Sequence, residues 1–275
     1  VPQVYLELGR SELVSRSVPE QGRGNVLEAL QVMSGISLLF AVGARPTVGD
    51  VERLLAGPEG IGKVAQISHR PPEDQGWIEL LASGLTFDLR GLAPGNGATV
   101  PPHSHLYGLS QDIGKFEFEA ISLVPGVHIA AGGALLPVVR VLMRLAAVLT
   151  TELPVRAVCW NPAQAWMEPK YFSRIMAHWL SGGPFPSLGL TALRRRDDGA
   201  VESSGLAYFT GQELCVAEHD EAAGSETMKL AARVIDKLVA HGRLEKSETF
   251  AGLEGERLIA EPSPDGRYVV VTKAA

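Results

Sequence analysis

Between Ala134 and Leu149 the chain reads Ala-Leu-Leu-Pro-Val-Val-Arg-Val-Leu-Met-Arg-Leu-Ala-Ala-Val-Leu, an apolar run interrupted by two arginines. Pro137 falls where the first turn of a helix tolerates a missing N–H, so a helix is predicted from Leu135 to Leu153. Arg140 and Arg144 stand four apart and share one face, while Leu136, Val139, Met143, Ala147 and Leu135, Leu142, Leu145, Leu149 cover the remainder. Each arginine would cost about 3 kcal/mol at the centre of a bilayer. The uninterrupted apolar stretch is also shorter than the roughly 20 residues a span needs. The run therefore reads as a buried helix with one wet edge, and such a helix requires a sheet to lie on.

The flanking text supplies one. Phe118 to Leu123, extending toward Ile129, reads as a strand, and Gly132-Gly133 as the turn from it into the helix. Backbone amides at that turn suit an anion, but the wider glycine pattern of a phosphate loop is missing and the plain turn is the reading preferred. Val155 to Trp160 is short, β-branched and apolar, as expected of a central strand reached by a crossover from the preceding one. Asn161-Pro162 ends it. A second helix follows from Glu168 to Leu180, with Phe172, Ile175, Met176 and Trp179 inward and Gly182-Gly183-Pro184 as its stop.

At 275 residues and 45% hydrophobic content the chain can build a sizeable core, which excludes disorder as a reading of the whole. A formal charge of −6 argues against general nucleic-acid binding, because that depends on neutralising phosphates. The two cysteines, Cys159 and Cys215, both fall in predicted strands. They read as small buried hydrophobes of a reducing compartment, with a bridge between neighbouring strands as the alternative. The first residues lack the basic start and apolar core of a secretory signal, so the expected location is cytoplasmic, with no membrane partner.

Residues 1–31 are polar and poorly periodic apart from a possible strand at Val1 to Leu8, and are expected to form a mobile arm. A first lobe over residues 32–117 opens with a strand at Ile36 to Val42 and a helix capped by Thr47 or Asp50, with Val48, Val51, Leu54 and Leu55 inward. Lys63 to Ser68, Trp77 to Leu81 and Leu85 to Leu89 are strand candidates, and Leu106 to Leu109 follows the irregular Gly91 to Pro102 loop. A second lobe over residues 118–275 continues past the two helices with strands at Leu188 to Arg194 and Val201 to Phe209, joined by the Asp-Gly turn that follows three arginines. Those arginines read as a solvated turn in preference to a phosphate clamp. A further strand runs from Glu213 to Ala217. Ser225 is expected to cap a helix in which Met228, Ala231, Ala232, Ile235, Leu238 and Val239 face inward, and Gly242 to close it. A final hairpin turns at Pro262-Ser-Pro-Asp-Gly. The expected fold is α+β: mixed, largely antiparallel sheet with helices packed on one side, as two similar lobes or one continuous domain.

The residues that could carry chemistry are few. His103 and His105 stand two apart, as in a metal site on a strand, yet no carboxylate or cysteine lies near in sequence, and exposed loop histidines are the plainer reading. Cys215 and His219 have a Cys-x3-His spacing without a second ligand pair. His128, placed on the strand leading into the long helix, His178 on the second helix, Trp160 and Glu213 are the residues that could line one pocket. Glu213 in an apolar strand must be solvated or find partners, such as the donors of a turn. Trp160 is more simply a core aromatic. No catalytic residue, metal ligand or cofactor site is assigned.

The segment Ser204-Gly-Leu-Ala-Tyr-Phe-Thr-Gly-Gln-Glu213-Leu, after the strand Ala157 to Trp160 and before the helix ending at Gly242 and the Thr249-Phe250 turn, resembles the DUF4261 family of bacterial proteins. Gly205, Phe209, Glu213 and Leu214 match its pattern. Thr210 stands where a glycine is expected before Gly211, and Cys215 replaces an acidic or polar residue. The family has no established activity, so the resemblance implies architecture and transfers no catalytic residue. The function expected from the sequence is non-enzymatic binding of a protein partner, self-association included. The alternative is a small-molecule or metal-assisted hydrolase using the histidines with Glu213.

Overall fold

A computed structural model describes residues 35–57, 64–217, 224–252 and 255–274. The predicted arm over 1–31 with its Val1 to Leu8 strand, Lys63, His219 and the side chain of Ser225 lie outside the described residues. Among the described residues fourteen strands form two sheets, joined by several helices. The first sheet has eight strands: β1 (Ile36–Ala41), β2 (Gln66–His69), β3 (Trp77–Ala82), β4 (Leu85–Arg90), β5 (His105–Tyr107), β6 (Phe118–Pro125), β7 (Ala157–Trp160) and β8 (Ala165–Met167). Their order is β2-β3-β4-β6-β1-β7-β8-β5. The second has six: β9 (Ala192–Arg195), β10 (Val201–Ser204), β11 (Glu213–Val216), β12 (Glu248–Ala251), β13 (Arg257–Pro262) and β14 (Tyr268–Lys273), in the order β12-β13-β14-β11-β10-β9. Most pairs are antiparallel, and β5 with β8 and β11 with β14 are parallel.

The helices are α1 (Val48–Ala56), α2 (Leu136–Glu152), α3 (Pro169–Leu180), the short turns α4 (Ser187–Leu190) and α5 (Ala207–Thr210), and α6 (Gly224–His241). The expected α+β architecture is therefore the one observed. Thr47 and Asp50 close a reciprocal capping box on α1, which satisfies two otherwise orphaned donors. Glu168 caps α3 through the Tyr171 amide at 2.7 Å. Gly242 takes a positive φ of 84° after α6 and its amide reaches the Leu238 carbonyl at 2.8 Å, a left-handed stop that costs glycine little.

The long apolar segment settles where its composition sends it. Val139, Leu142, Met143, Leu145, Ala146 and Leu149 of α2 are buried, while Arg144 is exposed. Arg140 lies over the Trp179 ring at 4.7 Å and donates to the Trp179 carbonyl at 2.9 Å, tying α2 to α3. Among the described residues no helix is long and apolar enough to cross a membrane. The strand–helix–strand unit is split: β6 and β7 both pair antiparallel with β1, which lies between them.

One large core runs through both sheets and takes residues from α1, α2, α3 and α6. Alternation along β1, β6 and β7 sends Ile36, Leu38, Phe40, Ile121, Leu123, Val158 and Trp160 into it. The other face of the first sheet, with Leu39, Ala120, Ala157, Cys159 and Trp166, forms a second, smaller core. Packed against it are Ala98, Val100, Leu106, Leu109, Ile113 and Phe118, so the stretch from Ala98 to Phe118 closes this face.

Several local expectations change. The change from one sheet to the other comes between Met167 and Ala192, whereas the line at 117/118 falls inside the first sheet, between β5 and β6. Strand β8, three residues long, has no counterpart among the expected strands. The strand expected over Leu188 to Arg194 begins only at Ala192, because Gly189 at φ 139° makes a turn of the residues before it. The strand expected to reach Phe209 ends at Ser204, since Gly205 at φ 85° turns the chain into α5. His128 is not on a strand: β6 ends at Pro125 and His128 sits exposed in the following turn.

Candidate functional site

Glu213 begins β11 beneath the turn into α5, and its carboxylate is fully engaged there. Oε1 accepts from the amides of Gly205 at 2.8 Å and Ala207 at 3.1 Å; Oε2 accepts from the Leu206 amide at 3.2 Å and the Ser203 hydroxyl at 2.5 Å. The Ser203 oxygen in turn accepts from the Leu214 amide at 2.7 Å. Glu213 thus satisfies three consecutive donors that a helical start leaves orphaned. Gly205 is required at this point. Besides its positive φ, a Cβ there would stand 2.7 Å from the Ala163 Cβ and 2.9 Å from its Cα. Leu214 is buried in the core and Phe209 packs on Trp160. All four residues that carry the DUF4261 resemblance therefore have structural work in one turn.

Trp160 has no solvent exposure. Tyr208 meets it edge-on with ring centres 5.2 Å apart, and Phe209 continues the cluster to Phe185 at 5.1 Å. The Tyr208 hydroxyl donates to the Gly133 carbonyl at 3.0 Å, and burial pushes its pKa up to about 12. His178 is exposed near the end of α3, and His128 is exposed beyond β6. Trp160 and Glu213 thus belong to one packed joint between the sheets, whereas the two histidines face solvent.

His103 and His105 serve different neighbours. The His103 ring lies against Trp166 with centres 4.5 Å apart. His105, on the edge strand β5, places Nε2 3.5 Å from Ser204 Oγ at the end of β10. Partial burial, with Arg194 adding to it, holds the His105 imidazole below its usual pKa. A neutral imidazole beside a serine hydroxyl has the composition of a base and nucleophile. The amides that follow Ser204, which would be placed to stabilise an oxyanion, already bond Glu213. The residues of this pair are 99 apart in sequence, and no spacing rule could have joined them.

Two of the three arginines stand beside carboxylates: Arg194 reaches Glu202 at 3.5 Å and Arg196 reaches Asp198 at 3.3 Å. Cys159 and Cys215 are free, one in each sheet, and burial pushes both thiols up. Among the described residues no three His, Cys, Asp or Glu side chains come together as metal ligands.

A groove of about 400 Å³ between the α4 turn and α6 is lined by Pro184, Phe185, Ser187, Leu188, Ala232, Arg233 and Asp236. Asp236 accepts from the Phe185 amide at 2.8 Å, and Ser187 donates to the Ala232 carbonyl at 3.0 Å, so both walls are held. Leu188 remains 40% exposed at its rim, with its carbonyl fixed by the Tyr171 hydroxyl at 2.9 Å. Composition alone does not locate the groove, because α4 was expected to be strand. Comparison of the chain with known families, with curated proteins and with solved structures yields no match.

Proposed function

We propose that this chain is a non-enzymatic binding protein whose partner is a polypeptide, a second copy of itself being the simplest case. The observation that carries this reading is the groove beside Leu188: a rigidly held apolar rim left open to water, between walls fixed by hydrogen bonds. An apolar recess of this size suits the anchoring side chain of a partner chain. The commitment of Glu213 to the backbone of α5 supports the same reading, because it removes the carboxylate that a histidine-based hydrolase would use. Kinship with the DUF4261 family is part of this proposal and rests on Gly205, Phe209, Glu213 and Leu214. Light scattering across a concentration series tests it. The wild type is expected to associate and Leu188→Asp to remain monomeric; a wild type that is monomeric throughout contradicts self-association through this groove.

A second reading, a small-molecule hydrolase, is favoured by one observation, the 3.5 Å approach of His105 Nε2 to Ser204 Oγ. Labelling by a fluorophosphonate probe that is lost in Ser204→Ala would support it. Absence of labelling in the wild type would remove it.

A further inference from the structure

Side chains of β5, the last strand of the first sheet, reach β9 and β10 of the second. His105 reaches Ser204, the Tyr107 hydroxyl lies at the Leu193 backbone, and Arg194 stands close enough to act on His105 electrostatically. Behind β5, the Gln164 carbonyl accepts from the amides of Ser104 at 2.9 Å and His105 at 3.3 Å, so the strand cannot retreat without losing backbone bonds. The contact between the two sheets here is made by side chains of β5.

We infer that this joint is a pH-sensitive seam: a proton on His105 adds a second cation beside Arg194 in a half-buried contact, and the contacts of β5 with Ser204 and Leu193 loosen in mild acid. The groups that face His105 can be named from each packed element. β9 brings Arg194, with Glu202 of β10 as its register partner; β10 brings the Ser204 hydroxyl, and β8 brings Ala165, the register partner of His105, with no titratable side chain. Glu202 already lies 3.5 Å from Arg194. On its own strand Tyr107 is largely buried and stacked on Tyr171 at 5.8 Å, and burial keeps its phenol protonated well above the usual range.

The direction follows from linkage. The folded-state pKa of His105 lies below its ordinary value of 6.5, so in acid the unfolded or opened chain binds the proton more readily than the closed one. The seam is fully stable above the ordinary value. It weakens as pH falls from there toward the depressed folded-state value.

Heteronuclear NMR on the full chain tests this. Between about pH 7.5 and 5.5, where an ordinary histidine titrates, the His105 ring should show a midpoint below that of a free histidine. Over that range the amides of Leu193, Arg194, Ser203 and Ser204 should lose exchange protection several-fold relative to Ile78 and Leu80 in β3, after correction for intrinsic rates. His105→Gln should abolish the differential loss. Arg194→Ala, an exposed-site variant expected to fold, should raise the His105 midpoint and shrink the loss. The inference is overturned by a wild-type midpoint at or above the ordinary value, by equal protection changes at the seam and in β3, or by an unchanged midpoint in Arg194→Ala.

Discussion

The two sheets solve the same burial problem differently. In the first, β1, β6 and β7 are buried at almost every position, with the large core on one face and the loop-covered core on the other. In the second, burial alternates. Leu214, Val216, Leu258, Ala260, Val269 and Val271 point to the core, while Glu213, Cys215, Ile259, Tyr268 and Val270 are only partly covered. A sheet wrapped on both faces needs near-continuous apolar strands, whereas one with a wet face needs every second residue. The polar chemistry of the molecule accordingly gathers where the half-covered sheet begins, around Ser203, Ser204 and Glu213.

The sharpest test of that contrast compares two strand residues of similar type. Leu39→Ala in β1 should cost about 3 kcal/mol, since it empties a fully buried site. Val270→Ala in β14 should cost less than about 1 kcal/mol, since that side chain is already part-solvated. Chemical denaturation measures both, and equal losses would mean that the open face of the second sheet is covered after all.

A smaller effect is expected at the start of β11. Glu213→Gln should cost about 2 kcal/mol, because the amide nitrogen that replaces one carboxylate oxygen confronts backbone donors instead of accepting from them. The same experiment checks it, and a loss no larger than a surface substitution would show that the turn into α5 does not depend on the carboxylate.

The same contrast explains what was legible in the sequence. The continuous apolar text of Val155 to Trp160 and the long run after Ala134 identified the buried strand and helix at the heart of the first sheet, and the i, i+3, i+4 pattern identified α3 and α6. Glu213 was legible as an alternative, a carboxylate taking donors from a turn, because an acid in an apolar strand has few other outcomes. The return strand is shorter than its apolar text implies. Leu206, Tyr208 and Phe209 read as β-formers, and their helical turn is imposed by Gly205 and by an acceptor eight residues from it. Short pieces such as β8 escape because three residues carry no period. The placing of His105 beside Ser204, and of β1 between β6 and β7, depends on tertiary pairing that no local pattern encodes.

The weakest expected effects lie outside both cores. His128→Ala and His178→Ala should each change stability by less than about 0.5 kcal/mol, as exposed side chains. Thermal unfolding of the two variants checks this, and a loss of several times that size would place one of them in a contact of consequence.

Amide exchange at Gly205, Leu206 and Ala207 asks most directly whether Glu213 is spent on the fold or free for chemistry. If the carboxylate holds these donors, all three should be protected in the wild type and released in Glu213→Ala while β13 and β14 keep their protection. Free exchange of the three amides in the wild type, or protection undiminished in the variant, would contradict it.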